Sequence, residues 1–205
     1  MKHTKESLEI TERISNQMDG NTFHHHYHIL YDIINLYPEG YELNYVEVGC
    51  YAGGSSCLVS QRKNTNIISI DLGSPVSPEI AKKNFTKFNV HGNNYQYIQG
   101  NSHLNETLEK LKNIVTNIDV LFIDGDHTYG GVKKDFEMYS PLVRRGGYII
   151  FDDYNDHKFS PDVKRCVDDL LPQLNEYEVI GFLPNLYGAR PKELMDGNCF
   201  IIKKK

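Results

Sequence analysis

The feature that most constrains the fold is a regular alternation of short β-branched runs with stretches of helical periodicity. Between the runs, apolar residues recur every three or four positions, as at Val132, Phe136, Tyr139 and Val143. Parallel strands joined by crossover helices form a sheet that is covered on both faces. We therefore predict an α/β fold with a doubly wound, mostly parallel sheet. The five central strands are predicted at NYVEVG (44–49), NIISID (66–71), YQYIQG (95–100), IDVLFID (118–124) and GYIIFDD (147–153).

The flanking segments complete this sheet. Helices are predicted at 5–18 and 24–37, before the first strand, and at 161–174, after the fifth. Two further strands, near 177–183 and 197–203, bring the number to seven, and RRGG (144–147) is interpreted as the turn before the fifth strand. No break in composition divides the 205 residues. We expect a single domain over 1–205, with an N-terminal helical cap (1–40), a core (44–155) and a C-terminal part (156–205).

Composition excludes several classes of partner. The net charge of −5 gives no attraction for nucleic acid or for an anionic membrane. The N-terminus lacks the apolar region of a secretion signal, and no run of 18 apolar residues occurs. The four cysteines form no CxxC pair, which is typical of reduced thiols in a cytoplasm. We expect a cytoplasmic protein that binds neither nucleic acid nor membrane.

The first strand ends in VEVGCYAGGSS (46–56), a loop rich in glycine. Gly49, Gly53 and Gly54 let the backbone turn tightly and approach a ligand. The spacing is not GxGxxG and no Lys follows, which disfavours a dinucleotide pyrophosphate or a nucleoside triphosphate. The loop is either a cofactor loop or a plain strand-to-helix turn.

The next two strand ends support a ligand that contains adenosine. Asp71 ends the second strand, where βαβ units place an acid that accepts hydrogen bonds from ribose hydroxyls. The alternative is a turn aspartate before Gly73. After the third strand, Gly100, Asn101 and Ser102 present small polar groups to an adenine edge, although Ser102 also suits a helix N-cap.

The fourth and fifth strands end in acids one strand–helix–strand repeat apart, in IDGDH and FDDY. Asp124 therefore meets Asp152 and Asp153 at neighbouring strand ends. Carboxylates that converge in a cleft repel one another unless a cation holds them, and these oxygen ligands favour Mg²⁺, with Ca²⁺ or Mn²⁺ as alternatives. His127 is our candidate general base. Isolated acids that cap helices or face water are the plainer interpretation.

Taken together, these motifs resemble a known family. VEVGCYAGGSS, IISIDLG, FIDGDHTYGGVKKDF and LVRRGGYIIFDDY are similar to the class I S-adenosylmethionine-dependent methyltransferases, with their Rossmann-like fold. Within them, the chain resembles small metal-dependent O-methyltransferases of the macrocin-type and cephalosporin hydroxylase-like branch. Catechol and caffeoyl-CoA O-methyltransferases are more distant relatives. The resemblance covers residues 44–155.

The resemblance implies roles for individual residues. Asp71 would contact the ribose, and Ser102 and Asp126 would lie by the adenine and methionine portions. Asp124 and His127 would be catalytic, and the metal ligands would be Asp124, Asp152 and Asp153, the last commonly Asn in the catechol-type enzymes. The full set of cofactor-binding residues is Glu47, Gly49, Cys50, Gly53, Ser55, Asp71, Ser102 and Asp126.

The expected function is methylation of a hydroxyl of a small molecule, such as a sugar or a vicinal diol, by S-adenosylmethionine with a divalent metal. The alternatives are a non-catalytic cofactor-binding module and a nicotinamide-dependent oxidoreductase, which should carry GxGxxG. His24 and His28 suit a helix near the opening of the site better than a zinc site. The segment 184–196 is interpreted as a lid, a homodimer contact or a hairpin loop.

Overall fold

The structure is a computed structural model that describes residues 5–20, 27–181 and 199–205, without the side chains of residues 5 and 6. Two helices precede the sheet, α1 (Lys5–Gln17) and α2 (His28–Ile34). Strands and helices then alternate. They are β1 (Leu43–Val48), α3 (Gly54–Val59), β2 (Thr65–Asp71), α4 (Pro78–Phe88), β3 (Asn94–Gln99), α5 (Asn105–Lys112), β4 (Ile118–Ile123), α6 (Tyr129–Tyr139), β5 (Val143–Phe151), α7 (Pro161–Leu170), β6 (Tyr177–Gly181) and β7 (Phe200–Lys204).

The described strands form one seven-stranded sheet in the order β3-β2-β1-β4-β5-β7-β6. β1 to β5 run parallel, whereas β7 is antiparallel to both β5 and β6. The predicted fold class, a doubly wound and mostly parallel sheet, is confirmed. Because the chain leaves β1 in one direction and returns to β4 on its other side, the carboxyl ends of these strands flank a crevice suited to a ligand.

Apolar side chains cover both faces of the sheet. One cluster packs α5, α6 and α7 against the sheet and includes Ile68, Leu121 and Phe136. The other packs α1, α2, α3 and α4 against the opposite face and includes Ile14 and Leu58. The central strand β4 is buried along its whole length, as expected for a parallel strand between two helical layers. Among the described residues, none of the helices has the length and apolar character needed to cross a bilayer.

Several predicted boundaries differ from the structure, and α7 ends at Leu170, four residues before the predicted end. β5 begins at Val143, so RRGG is part of the strand and not a turn before it. The register shifts between Ile118 and Val120 on the partner strand, and Gly146 has a φ of +78°, so a bulge accommodates the glycines. Helix α2 ends at Ile34, three residues before the predicted end. His24 and the segment 184–196 lie outside the described residues, whereas His28 is the first residue of α2 and is buried.

At the amino ends of the strands, a buried carboxylate ties three segments together. Asp119 at the start of β4 accepts hydrogen bonds from the Tyr41 hydroxyl (2.8 Å) and the Asn44 backbone N–H (2.7 Å). It also pairs with the Arg144 guanidinium, which lies over the rings of Tyr37 and Tyr41. This network fixes β1, β4 and β5 at the end of the sheet away from the crevice.

We predict that Asp119→Ala destabilises the protein by about 3 kcal/mol, because it leaves the Arg144 guanidinium and two other donors without their buried acceptor. Urea unfolding measures the change. Glu109→Ala is the control, since Glu109 forms an exposed ion pair with Lys112 and its loss should cost at most about 0.5 kcal/mol. Equal midpoints for the two variants would contradict a structural role for Asp119.

Candidate functional site

A cavity of about 570 Å³ opens at the carboxyl ends of β1, β2, β3 and β4. Parallel strands bring these four loops to one edge of the sheet, where open α/β sheets bind their ligands. The walls combine small apolar groups with a few polar side chains. Of the residues predicted to form the site, those that line the cavity are Gly49, Cys50, Asp71, Ser102, Asp124, Asp126 and His127.

The close approach of two strand ends explains why Gly49 is a glycine. Its φ is +83°, and a Cβ at this position would lie 2.0 Å from the backbone carbonyl oxygen of Asp124. Backbone hydrogen bonds from Gly49 to Ile70 and from Asp124 to Val48, both 2.8 Å, hold the strand ends in this arrangement. The loop after β1 therefore lies directly beside Asp124.

Asp71 holds the glycine-rich loop in place. Its Oδ2 accepts hydrogen bonds from the backbone N–H groups of Cys50 (2.9 Å) and Tyr51 (3.0 Å). Its Oδ1 accepts from the Gly73 N–H (2.7 Å) and the Tyr97 hydroxyl (3.2 Å). The same carboxylate lines the cavity, so it both shapes the loop and presents charge to a ligand.

Glu47 lies beneath the cavity and not in its wall. The side chain is fully buried and accepts hydrogen bonds from the hydroxyls of Tyr45, Ser55, Ser56 and Ser69. Burial raises the pKa of Glu47, and the serine and tyrosine hydroxyls oppose that rise. Its contacts join β1, β2 and α3, which carry the loop.

Gly53 and Ser55 also lie behind the loop. Gly53 has a φ of +83°, and a Cβ there would meet the backbone oxygen of Ala81 at 3.3 Å. The Ser55 hydroxyl donates to Glu47 (2.6 Å). With Glu47, these residues support the wall that Gly49 and Cys50 form.

Asp126 performs a local structural task at the start of α6. Its Oδ1 accepts a hydrogen bond from the Thr128 N–H (3.0 Å), and the Thr128 hydroxyl caps the helix by accepting from the Gly131 N–H (3.1 Å). A side chain at Gly131 would collide with Asp126. Asp126 is exposed and lines the cavity.

At one side of the cavity, two aspartates and a histidine lie in mutual contact. Asp124 and His127 line the cavity, whereas Asp153 is buried and is not one of its lining residues. His127 Nε2 lies 3.2 Å from Asp124 Oδ1, and His127 Nδ1 lies 3.5 Å from Asp153 Oδ2. One ligand atom from each of Asp124, His127 and Asp153 lies within 4.8 Å of the others. Asp153 has a left-handed φ of +56°, a conformation that Asp tolerates, and it is the second residue after β5. The donor set of two carboxylates and an imidazole fits a divalent cation.

Asp152 is close to this group but is not one of its three members among the described residues. It is buried, and the Cys199 thiol donates a hydrogen bond to its Oδ1 (3.2 Å). The structure thus brings together Asp124 and Asp153 as predicted, with His127 instead of Asp152 as the third group.

Electrostatics couples these side chains. Burial raises the pKa of the Asp124 carboxyl, and the charge of Asp152 raises it further. Burial alone would lower the pKa of His127, but its hydrogen bond to Asp124 and the charges of the neighbouring acids outweigh that effect and raise it. The protonation of His127 and that of Asp124 therefore depend on each other.

Two residues of this site were not predicted from the sequence. The Tyr27 hydroxyl donates to Asp124 Oδ2 (2.9 Å) from a position 97 residues away in the chain. The Ser160 hydroxyl donates to Asp153 Oδ2 (3.0 Å) and contacts His127 Nδ1 (2.9 Å). Neither carries a local motif, although Ser160 directly precedes a Pro that begins α7, a pattern typical of a helix start.

Comparison with solved structures shows the same fold. An O-methyltransferase from Bacillus cereus, in complex with S-adenosylhomocysteine, has a TM-score of 0.68 and 17% identity over 98% of this chain and 92% of its own. The O-methyltransferase of tomaymycin synthesis from Streptomyces achromogenes, in complex with S-adenosylmethionine, has a TM-score of 0.65 and 15% identity over 98% of this chain and 90% of its own. At these identities the likeness concerns the fold.

Sequence comparison identifies the family. The sequence model of the family described as "Methyltransferase domain" matches residues 46–154, a little over half of the chain. An uncharacterised protein of Acanthamoeba polyphaga mimivirus is 42% identical over 184 residues, which cover 85% of this chain and 83% of that protein. The prediction of a methyltransferase is confirmed, and the oxidoreductase alternative is not favoured. The chain belongs to the methyltransferase-domain family.

Proposed function

We propose that the chain is an S-adenosylmethionine-dependent O-methyltransferase that acts on a hydroxyl group of a small molecule. The single observation that carries the proposal is that one cavity is lined both by the glycine-rich loop with Asp71 and by Asp124 with His127. A methyl donor and a group able to take a proton from a hydroxyl are both needed at one place for such a transfer. The loop serves the first need and His127 the second.

The cofactor half of the proposal is supported by the two solved neighbours, which hold S-adenosylhomocysteine and S-adenosylmethionine. In this chain Asp71 would accept the ribose hydroxyls, and Gly49, Cys50 and Ser102 would contact the rest of the ligand. When bound, S-adenosylmethionine supplies a methyl group that an acceptor oxygen takes in one displacement, leaving S-adenosylhomocysteine and a proton.

The proposed requirement for a divalent metal is supported by the carboxylate oxygens available at the site. Asp124 and Asp153 would hold a divalent cation, with Asp152 close behind them. Carboxylates favour Mg²⁺ or Ca²⁺, and Mn²⁺ is a further candidate. When bound, such a cation supplies Lewis acidity that lowers the pKa of an acceptor hydroxyl. An acceptor with two adjacent hydroxyls, as in a sugar or a catechol, suits this site.

His127 is positioned to take the proton. Because the Ser160 hydroxyl donates to Asp153, its oxygen is free to accept from the Nδ1–H of the imidazole. This arrangement fixes the ring orientation and leaves Nε2, on the side of Asp124, as the atom that accepts the hydroxyl proton. Asp153 and Ser160 therefore orient the base.

The direct test is methyl transfer from S-adenosylmethionine carrying a labelled methyl group to a panel of sugars, catechols and matched amines. We expect the label in a methyl ether of a hydroxyl acceptor. Label in the amines alone would contradict oxygen specificity. Binding of S-adenosylhomocysteine without transfer to any acceptor would favour the non-catalytic module.

Asp71→Ala should weaken S-adenosylhomocysteine binding by roughly 10- to 100-fold, because it removes a charged acceptor and releases the loop at Cys50 and Tyr51. Isothermal titration calorimetry gives the dissociation constant. Glu79→Ala removes an equal charge from an exposed position outside the cavity and should leave affinity within about 2-fold. Unchanged affinity in Asp71→Ala would remove this residue from the cofactor site.

Asp124→Asn and Asp153→Asn should each lower methyl transfer by at least about 100-fold, since they remove a carboxylate from the proposed cation site. Chelation should inhibit the wild-type protein, and added Mg²⁺ or Mn²⁺ should restore it. Titration with Mn²⁺, followed by electron paramagnetic resonance, gives a readout that is independent of turnover. Glu109→Gln, on the exposed face of α5, is the charge-matched control. Full activity of the wild-type protein under chelation would disprove the metal requirement.

A further inference from the structure

Helix α6 carries a buried carboxylate that the proposed chemistry does not use. The Asp135 side chain has 0% exposure, and His103 Nε2 lies 3.3 Å from its Oδ1. Neither carboxylate oxygen completes a hydrogen bond of ordinary geometry with a described residue. Burial raises the pKa of Asp135, while the Ser102 hydroxyl and His103 oppose that rise. Such a group costs stability where an apolar side chain would not, so its position calls for a functional explanation.

Asp135 lies behind two of the loops that form the cavity. A side chain on Gly125 would lie 3.4 Å from Asp135 Oδ2, so the carboxylate contacts the loop after β4 closely. From the same helix, the Tyr139 hydroxyl donates to the Ser102 carbonyl oxygen (2.7 Å) in the loop after β3. A hydrogen bond from α6 thus holds the loop after β3 in place.

His103 presents one edge to Asp135 and another to the cavity. The Nε2 atom is buried, whereas the side chain as a whole is 26% exposed and lines the cavity wall. Its backbone N–H donates to Asn101 Oδ1 (2.8 Å), which fixes the main chain at this point. A carboxylate beside Nε2 favours the tautomer that carries hydrogen there, so Nδ1 keeps its lone pair.

The sheet order indicates which part of the cofactor meets this residue. The loop after β3 lies on the opposite side of β1 from β4 and β5, which carry Asp124 and Asp153. With the proposed function, methyl transfer beside Asp124 would place the sulfonium on that side, and Asp71 on β2 would face the ribose. The purine would then extend toward the loop that carries His103.

We propose that Asp135 is a positioning residue that fixes the His103 imidazole, so that Nδ1 accepts a hydrogen bond from the exocyclic amino group of the purine. The inference rests on the proposed cofactor and adds a residue that determines which purine the site accepts. A hypoxanthine ring carries a carbonyl oxygen in place of that amino group. The oxygen is an acceptor, as is His103 Nδ1, so the two atoms would repel each other and form no hydrogen bond. The site therefore discriminates adenine from hypoxanthine through a residue that does not itself contact the ligand.

The test compares the dissociation constants of S-adenosylhomocysteine and S-inosylhomocysteine by calorimetry. These ligands differ only at the 6-substituent of the purine, so a general loosening of the cavity changes both constants and leaves their ratio unchanged. We expect the wild-type protein to prefer the adenosyl ligand by roughly 10- to 100-fold. His103→Phe and Asp135→Leu should each lower that ratio to within about 3-fold of unity. Asp135→Asn keeps an acceptor oxygen and should retain part of the preference.

The outcomes separate this inference from the function on which it rests. A wild-type protein that binds S-adenosylhomocysteine without preference over the inosyl ligand overturns the inference alone, as does an unchanged ratio in His103→Phe. A wild-type protein that binds neither ligand overturns the proposed function and the inference together. If Asp135→Leu fails to fold, the decision rests on Asp135→Asn, whose ratio must fall between those of wild type and His103→Phe.

Discussion

The contact between the backbone at Gly49 and the carbonyl of Asp124 is the constraint on which the site depends. With any other residue at Gly49, a side-chain carbon would overlap the Asp124 oxygen, and the carboxyl ends of β1 and β4 would separate. Parallel pairing of these central strands places the glycine-rich loop and the acidic group within one cavity. The residues proposed for cofactor binding and for proton removal thus lie side by side because β1 and β4 are adjacent in the sheet.

Buried charged groups divide into two kinds according to how completely they are paired. Glu47 accepts four hydroxyls and Asp119 accepts an amide, a hydroxyl and a guanidinium, so both stabilise the scaffold at opposite ends of β1 and β4. Asp124 and Asp135 are less completely paired, and burial raises the pKa of each. Incompletely paired acids are costly to keep and cluster where a ligand completes their contacts. Asp124 lines the cavity, and Asp135 lies behind it, next to Gly125.

The strand runs and their mostly parallel arrangement were predictable because β-branched periodicity and the crossover rule act locally. The same logic placed Asp71 and Asp124 at strand ends. The contact of Tyr27 with Asp124 spans 97 residues and depends on how α2 packs, which no local pattern encodes. Asp135 did carry a usable signal: it lies three residues after Val132 and four before Tyr139, on the apolar stripe of α6. An acid on such a stripe is a buried acid with a specific partner.

The contacts of His127 also bear on the order of events in the proposed reaction. The acids that raise the pKa of His127 are the same acids that would hold the cation. A bound cation would therefore oppose their effect on the pKa of His127. A protonated ring cannot accept a second proton at Nε2. A cation held by Asp124 and Asp153 would therefore favour the neutral imidazole, which can take a proton from the acceptor. Ser160 keeps Nδ1 directed at Asp153 throughout, so the ring changes its charge without changing its orientation.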